Sequence, residues 1–278
     1  MQDAFAHCAE LVRSTDHDRF IATLFAPAER RDALHALYAF NYELARVRDV
    51  AHAALPGEIR LQWWTDVVDR QRDDEAGANP VAAALLATME RHGLARETLS
   101  DLIDARRFDL YDDPMASVAD LETYLRRTSS SVIALAAQIV ASLEVEAIAG
   151  PAGIASGIAG LLRAFPLHAS RRQLYLPMEL LERHQVHVHD VFAGRGSAGL
   201  AAAAAELRSL ARRHLAVAAE GVKTLSDLAV PAFLPLAVVR PALDRMERSD
   251  PFAPAEVASW RRQWLIWRAA RNPGRIAA

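Results

Sequence analysis

The chain has 278 residues, 52% of them hydrophobic and 24% charged, which is enough for a real core and too apolar for a disordered or low-complexity scaffold. Its 32 basic side chains are mixed along the chain with 35 acidic ones for a formal net charge of -3, so no basic block exists to track a phosphate backbone and nucleic-acid binding is disfavoured. A lone cysteine, Cys8, excludes an internal disulfide framework and points to a reducing, cytoplasmic setting. The segment from Met1 to Arg13 shows no charged-then-apolar export pattern.

Helical periodicity dominates, and nothing alternates like a strand. From Ala28 to Val50 the apolar residues Ala33, Leu34, Leu37, Phe40, Leu44, Val47 and Val50 recur mostly at steps of three and four, with Pro27 as the start signal. Further helices are predicted from Glu58 to Arg72, Pro80 to Arg91, Arg96 to Leu110, Val118 to Leu143, Pro151 to Phe165, Ala198 to Leu228, Pro231 to Arg248 and Ala255 to Ala270. Pro235 and Pro241 should kink or divide the helix from Pro231 to Arg248. The most apolar runs, Val132 to Leu143 and Gly150 to Leu162, are too short or too interrupted to span a bilayer. Connections are short and no linker separates halves of different composition, so residues 1–278 read as one all-α domain.

Glu43, Arg46 and Asp49 fall at three-residue steps and share roughly one helix face, which in isolation reads as an exposed ion-pair ladder. A second distinctive run extends from Leu161-Leu162-Arg163-Ala164-Phe165-Pro166-Leu167-His168 through Arg171-Arg172 to Tyr175-Leu176-Pro177. Elsewhere, His184, His187 and His189 lack the pairing and carboxylate context of a zinc site and read as a polar turn. Asp73-Asp74-Glu75 and Asp112-Asp113-Pro114 read as loops or caps. Trp260, Trp264 and Trp267, at steps of four and three, predict a buried helix stripe.

Asp18-Arg19-Phe20, Leu24-Phe25-Ala26-Pro27 with Arg30, Leu37-Tyr38-Ala39-Phe40, Phe108-Asp109-Leu110, Tyr124 and the run from Gly160 to Pro177 together resemble the squalene and phytoene synthase family over most of the chain. The resemblance implies a single all-α isoprenoid-synthase-like bundle with a central cavity. In active members two aspartate-rich motifs on facing helices hold Mg²⁺ against a substrate diphosphate, stabilising the charge that develops as it leaves. At the first motif this chain offers Ala45, Arg46 and Asp49, and at the second Ala164 and His168, so Asp49 is the one carboxylate left at these positions. Alanine cannot ligate a metal, arginine repels one, and histidine suits a hard cation poorly. Phe40-Asn41 with Glu43-Leu44-Ala45, Gly57 with Arg60-Leu61-Gln62-Trp63-Trp64, and Leu162-Arg163-Ala164 through Arg171-Arg172 resemble a motif-degenerate branch of the family, which includes its assembly factor for respiratory complex I.

The resemblance therefore implies a non-catalytic protein without metal or cofactor that supports complex I assembly. Its partners would be complex I subunits or assembly proteins, and it could bind a prenyl diphosphate or lipid-like ligand and touch the inner membrane peripherally. The ligand-binding candidates are Tyr38, Phe40, Arg46, Asp49, Arg163, His168, Arg171, Arg172 and Tyr175. Two alternatives stay open: a Mg²⁺-dependent head-to-head prenyltransferase in which Asp49 and Glu43 replace the missing aspartates, and a peripheral lipid-binding module. Arg46 and Arg163 either form an anion site or close the old site by pairing with Glu43 and Asp49, and Arg171-Arg172 suit a membrane or partner surface equally well.

Overall fold

Helix signals in the sequence become helices with identifiable ends in a computed structural model, which describes residues 1–143 and 145–277. In chain order the α-helices are α1 (Gln2–Thr15), α2 (His17–Thr23), α3 (Ala28–Ala45), α4 (Val47–Ala51), α5 (Ala54–Val68), α6 (Asp73–Ala78), α7 (Pro80–His92), α8 (Arg96–Ala105) and α9 (Val118–Leu125). They continue as α10 (Ser131–Ala141), α11 (Glu146–Arg163), α12 (Phe165–Ser170), α13 (Met178–Arg183), α14 (Val188–Phe192), α15 (Ala198–Val222), α16 (Val239–Glu247) and α17 (Ser259–Arg271). No strand occurs among the described residues, as the helical periodicity predicts. Nor is any described helix long and apolar enough to cross a membrane.

The ends follow capping chemistry. Helix α7 starts where the Asn79 side chain accepts from the Val81 and Ala82 amides with Pro80 behind it, and stops at Gly93, whose φ of +62° suits a residue without Cβ. Helix α9 opens on a capping box, with Ser117 and Asp120 exchanging bonds to each other's amides.

Several predicted helices are divided. The segment from Ala28 to Val50 breaks at Arg46, and the one from Pro151 to Phe165 begins earlier, at Glu146, with Pro151 in its second turn, and breaks at Ala164. Helix α5 starts and ends four residues before its predicted bounds, and α8 tightens into a 3-10 turn over Arg106–Leu110. Between α9 and α10 the chain forms a π-helical turn, Arg126–Ser130. The two prolines act as expected: Pro235 lies in a 3-10 helix, Val230–Val238, and Pro241 in the first turn of α16. Helix α15 ends at Val222, the short helices α2, α4, α6 and α12 to α14 carry too little periodicity to announce themselves separately, and the 14-residue α1, which buries Ala4, Cys8 and Val12 at steps of four, was not among the predicted helices.

The chain forms two interleaved compact units. The first holds residues 1–110, 131–146 and 225–235. There α3 packs against α1, α7 and α10 and buries Leu34, Leu37, Phe40 and Leu44, each at most 1% exposed. Full burial of each such side chain is worth roughly 1.5 to 3 kcal/mol against exposure. The second unit holds residues 111–130, 147–224 and 236–278, with the 25-residue α15 packed on α13 and α16. Close approach in this unit depends on Gly153 of α11, where an added Cβ would lie 2.3 Å from the Ser130 backbone. Ser130 Oγ also donates to the Gly150 carbonyl at 2.8 Å, so the π turn and α11 are bonded where they touch.

Two expectations fail here. The tryptophan stripe is not buried: Trp260, Trp264 and Trp267 are 70%, 47% and 47% exposed, and the core side of α17 is instead Leu265, Ile266 and Ala269. Asp73, Asp74 and Glu75 are not in a loop but form the first turn of α6, where acids favour the helix dipole, and Glu75 accepts from the Trp63 indole at 2.9 Å. Of the three histidines, His184 follows α13 and lies 2.6 Å from Glu206, His187 precedes α14, and His189 lies within it.

Candidate functional site

The first motif lies at the joint between α3 and α4. The joint keeps its helical bonds, Arg46 donating to the Tyr42 carbonyl and Val50 to the Arg46 carbonyl, both at 3.1 Å, while Arg46 itself turns to φ -95° and ψ 2°. Its guanidinium lies 3.6 Å from a Glu43 carboxylate oxygen and over the Tyr42 ring at 5.4 Å. Ala45 and Asp49 are exposed. Glu43, Arg46, Val47, Val50, Ile59, Arg60, Trp63 and Trp64 line a cavity of about 360 Å³ in this unit, with charged groups alongside aliphatic and indole surface.

Two other candidates stand behind that cavity. Phe40 is fully buried and meets Trp64 edge-on at 5.1 Å between ring centres, so it supports a cavity wall. Tyr38 is buried under the Arg19 guanidinium, and burial pushes its hydroxyl up to about 12. The motif segment is further held by a polar cluster that sequence reasoning reached through Asn41 and Asp109 but not through its arginines. Arg106 pairs with the buried Asp109 at 3.2 Å and reaches the Asn41 side-chain oxygen at 3.4 Å, and Arg48 donates to the Asp109 carbonyl at 3.1 Å.

The second motif, in the other unit, also lies at a helix joint, and here the cause is legible. Pro166 has no N–H to give the Leu162 carbonyl, so α11 ends at Arg163 and α12 restarts with Pro166 in its first turn. The His168 ring packs on Tyr175 at 4.8 Å between centres, and Tyr175 in turn on Tyr124 at 5.8 Å. Arg171 and Arg172 are exposed. Arg172 closes α12 with φ +58°, a left-handed conformation costing a non-glycine residue about 1 kcal/mol, and lays its guanidinium over the Phe192 ring at 5.0 Å.

Arg163 is exposed and edges a void of about 20 Å³, room for about one water, lined also by Leu162, Phe165, Leu176, Arg208 and Asp250. Arg208, which sequence reasoning missed, is 9% exposed, and its Nε has no hydrogen-bond partner among the described residues. Burial pulls its pKa down, while Glu247 opposes the shift. The signal was available: Arg208 sits beside Leu207 and Ala211 on the otherwise apolar stripe of α15.

A Mg²⁺ clamp does not fit these side chains. Ala45 and Ala164 carry no donor, Arg46 is a cation already beside Glu43, and His168 offers a nitrogen where magnesium prefers oxygen. Among the described residues no group of three or more His, Cys, Asp or Glu side chains could hold a metal ion.

The fold defines the class first: this is the helical bundle of the isoprenoid synthases. A ligand-bound dehydrosqualene synthase superposes with a TM-score of 0.84 at 18% identity, covering 97% of this chain and 96% of the other. Squalene synthase HpnC from Alicyclobacillus acidocaldarius gives 0.67 at 19% identity, covering 97% and 94%. The chain belongs to the squalene/phytoene synthase family, whose model matches residues 12–268. Within that family it is 33% identical to complex I assembly factor 6 of Rattus norvegicus over 89% of this chain and 75% of the relative, and 33% identical to the Homo sapiens protein over 88% and 74%. Against 15-cis-phytoene synthase of Synechococcus elongatus the identity is 26% over 94% of this chain and 91% of the relative.

Proposed function

We propose that this chain supports assembly of respiratory complex I and does not condense isoprenyl diphosphates. The observation that carries the reading is the chemistry at the two helix joints, where alanine, arginine and histidine stand at the metal-ligand positions and Arg46 lies beside the Glu43 carboxylate that would have to substitute. An apolar cavity without a metal clamp ionises an allylic diphosphate poorly, because nothing offsets the cost of the charge that forms. Retention of the bundle is then better explained by its shape or surface, and the assembly-factor relatives at 33% identity point to complex I subunits or assembly proteins as partners.

The cavity beside Arg46 and Arg60 also suits a lipid-like or prenyl ligand, with apolar surface from Val47, Val50 and Ile59 and a guanidinium for an anionic end. Deleting the gene in the source organism tests the proposal: NADH-linked respiration should fall while squalene and carotenoid levels stay unchanged. Altered isoprenoid products with normal complex I would instead identify a transferase in which Glu43 and Asp49 do the work. If neither changed, a lipid-binding role without a link to complex I would replace the proposal.

A further inference from the structure

Helix α17 spends its aliphatic side on the core and turns its tryptophans outward. At 100° per residue Leu265, Ile266 and Ala269 cluster on one side, and Trp260, Trp264 and Trp267 on the opposite one, which explains why the indoles are 70%, 47% and 47% exposed. Three indoles in a row on the solvent side of one helix form the kind of contiguous apolar patch that soluble proteins rarely leave uncovered.

The charge around them has one sign. Helix α17 carries Arg261, Arg262, Arg268 and Arg271 and no acid. Arg268 lies over the Trp264 ring at 4.8 Å and Arg271 over Trp267 at 5.1 Å, so the cations are held at the level of the indoles. Beside the helix runs a groove of about 690 Å³ lined by five arginines, Arg240, Arg245, Arg248, Arg261 and Arg268, against Asp244 and Glu256. Asp244 is already engaged by Arg212 at 2.9 Å, which leaves the groove positive.

We infer that the outward face of α17 is a docking surface for an anionic lipid bilayer. Indoles are amphipathic and settle at the headgroup level of a membrane, and arginines beside them meet lipid phosphates without leaving that level. The helix lies flat on the bilayer in this arrangement, because its opposite side remains in the core, and the groove receives headgroups. This surface shares no residue with the cavity at Arg46 and does not depend on the complex I proposal.

Sedimentation of the full chain with vesicles tests it, using phosphatidylcholine alone and phosphatidylcholine mixed with phosphatidylglycerol. Binding is expected to the anionic mixture only, with a blue shift of tryptophan emission, quenching by brominated acyl chains, and release at high salt. Trp260→Ser/Trp264→Ser/Trp267→Ser should abolish the binding and keep the melting temperature, since none of the three belongs to the core. Arg261→Gln/Arg271→Gln, which leaves every indole in place, should weaken binding by about fivefold per arginine. No binding to the anionic vesicles, equal binding to both compositions, or anionic binding that survives both variants would overturn the inference. So would a dimer of the native chain that the tryptophan variant dissociates, because a second copy would then be the occupant.

Discussion

Two histidines of the first unit are held in the neutral form by their surroundings. His35 is 6% exposed, stacks on Phe20 at 5.6 Å, and has no hydrogen-bond partner among the described residues for either ring nitrogen. Burial lowers its pKa from the ordinary 6.5; Asp32 opposes this and Arg31 adds to it. His92 is lowered too, by burial first and then by Arg30 and Arg91. Its Nδ1 lies 2.9 Å from an Arg30 guanidinium nitrogen, which can only donate, so Nδ1 accepts and the ring proton sits on Nε2. As pH falls below the ordinary value, unfolded chains take up protons that the folded chain refuses, so this part of the stability is present above that value and lost on the acid side. Melting temperature should therefore drop between about pH 7 and about pH 5, and less so in His35→Leu. An identical drop in both proteins would show that His35 is not a source of the acid sensitivity. The Arg106–Asp109 pair, with side chains only 15% and 9% exposed, sets a second test. Asp109→Ala removes one partner of a buried ion pair and should cost about 3 to 5 kcal/mol in urea unfolding.

At the level of elements, the glycines of α11 separate packing from propensity. Gly153→Ala would press a methyl group against the Ser130 backbone and should destabilise by about 1 to 3 kcal/mol, since neither helix can yield alone. At Gly160 an added Cβ would meet nothing within 4 Å, so Gly160→Ala should be neutral or should stabilise by up to about 1 kcal/mol. Equal effects of the two changes in chemical denaturation would contradict this packing. An apolar period of three turns or more made α3, α7 and α15 legible in the sequence, while α1, whose buried positions are Ala4, Cys8 and Val12, went unread although it runs for 14 residues. The break at Arg46 was not legible either, because the i→i-4 bonds continue through it and no proline marks it. Pro166 does mark the other break, through the amide it lacks. The tryptophan stripe of α17 shows a further limit: a period identifies which residues share a side, and Leu265, Ile266 and Ala269 make an equally periodic side that takes the core.

At the scale of the whole molecule, the family model runs across both compact units, while of the five positions that the resemblance sets against metal ligands only Asp49 carries a carboxylate. The candidate site was half visible in the sequence. The missing carboxylates are a matter of residue type and could be read directly. That Glu43 lies beside Arg46, and that Arg208 is buried next to a void edged by Arg163, depends on side-chain direction, which residue spacing alone leaves undetermined. If the role is assembly and not catalysis, the last carboxylate of the old motifs should be dispensable. Asp49 is exposed, and its replacement by the isosteric asparagine removes the charge with little change of shape. The decisive measurement is the amount of intact complex I, resolved on native gels, in a deletion strain given back either the native chain or Asp49→Asn. Restoration to the same level by both chains is the predicted result; restoration by the native chain alone, with Asp49→Asn accumulating normally, would contradict a non-catalytic role.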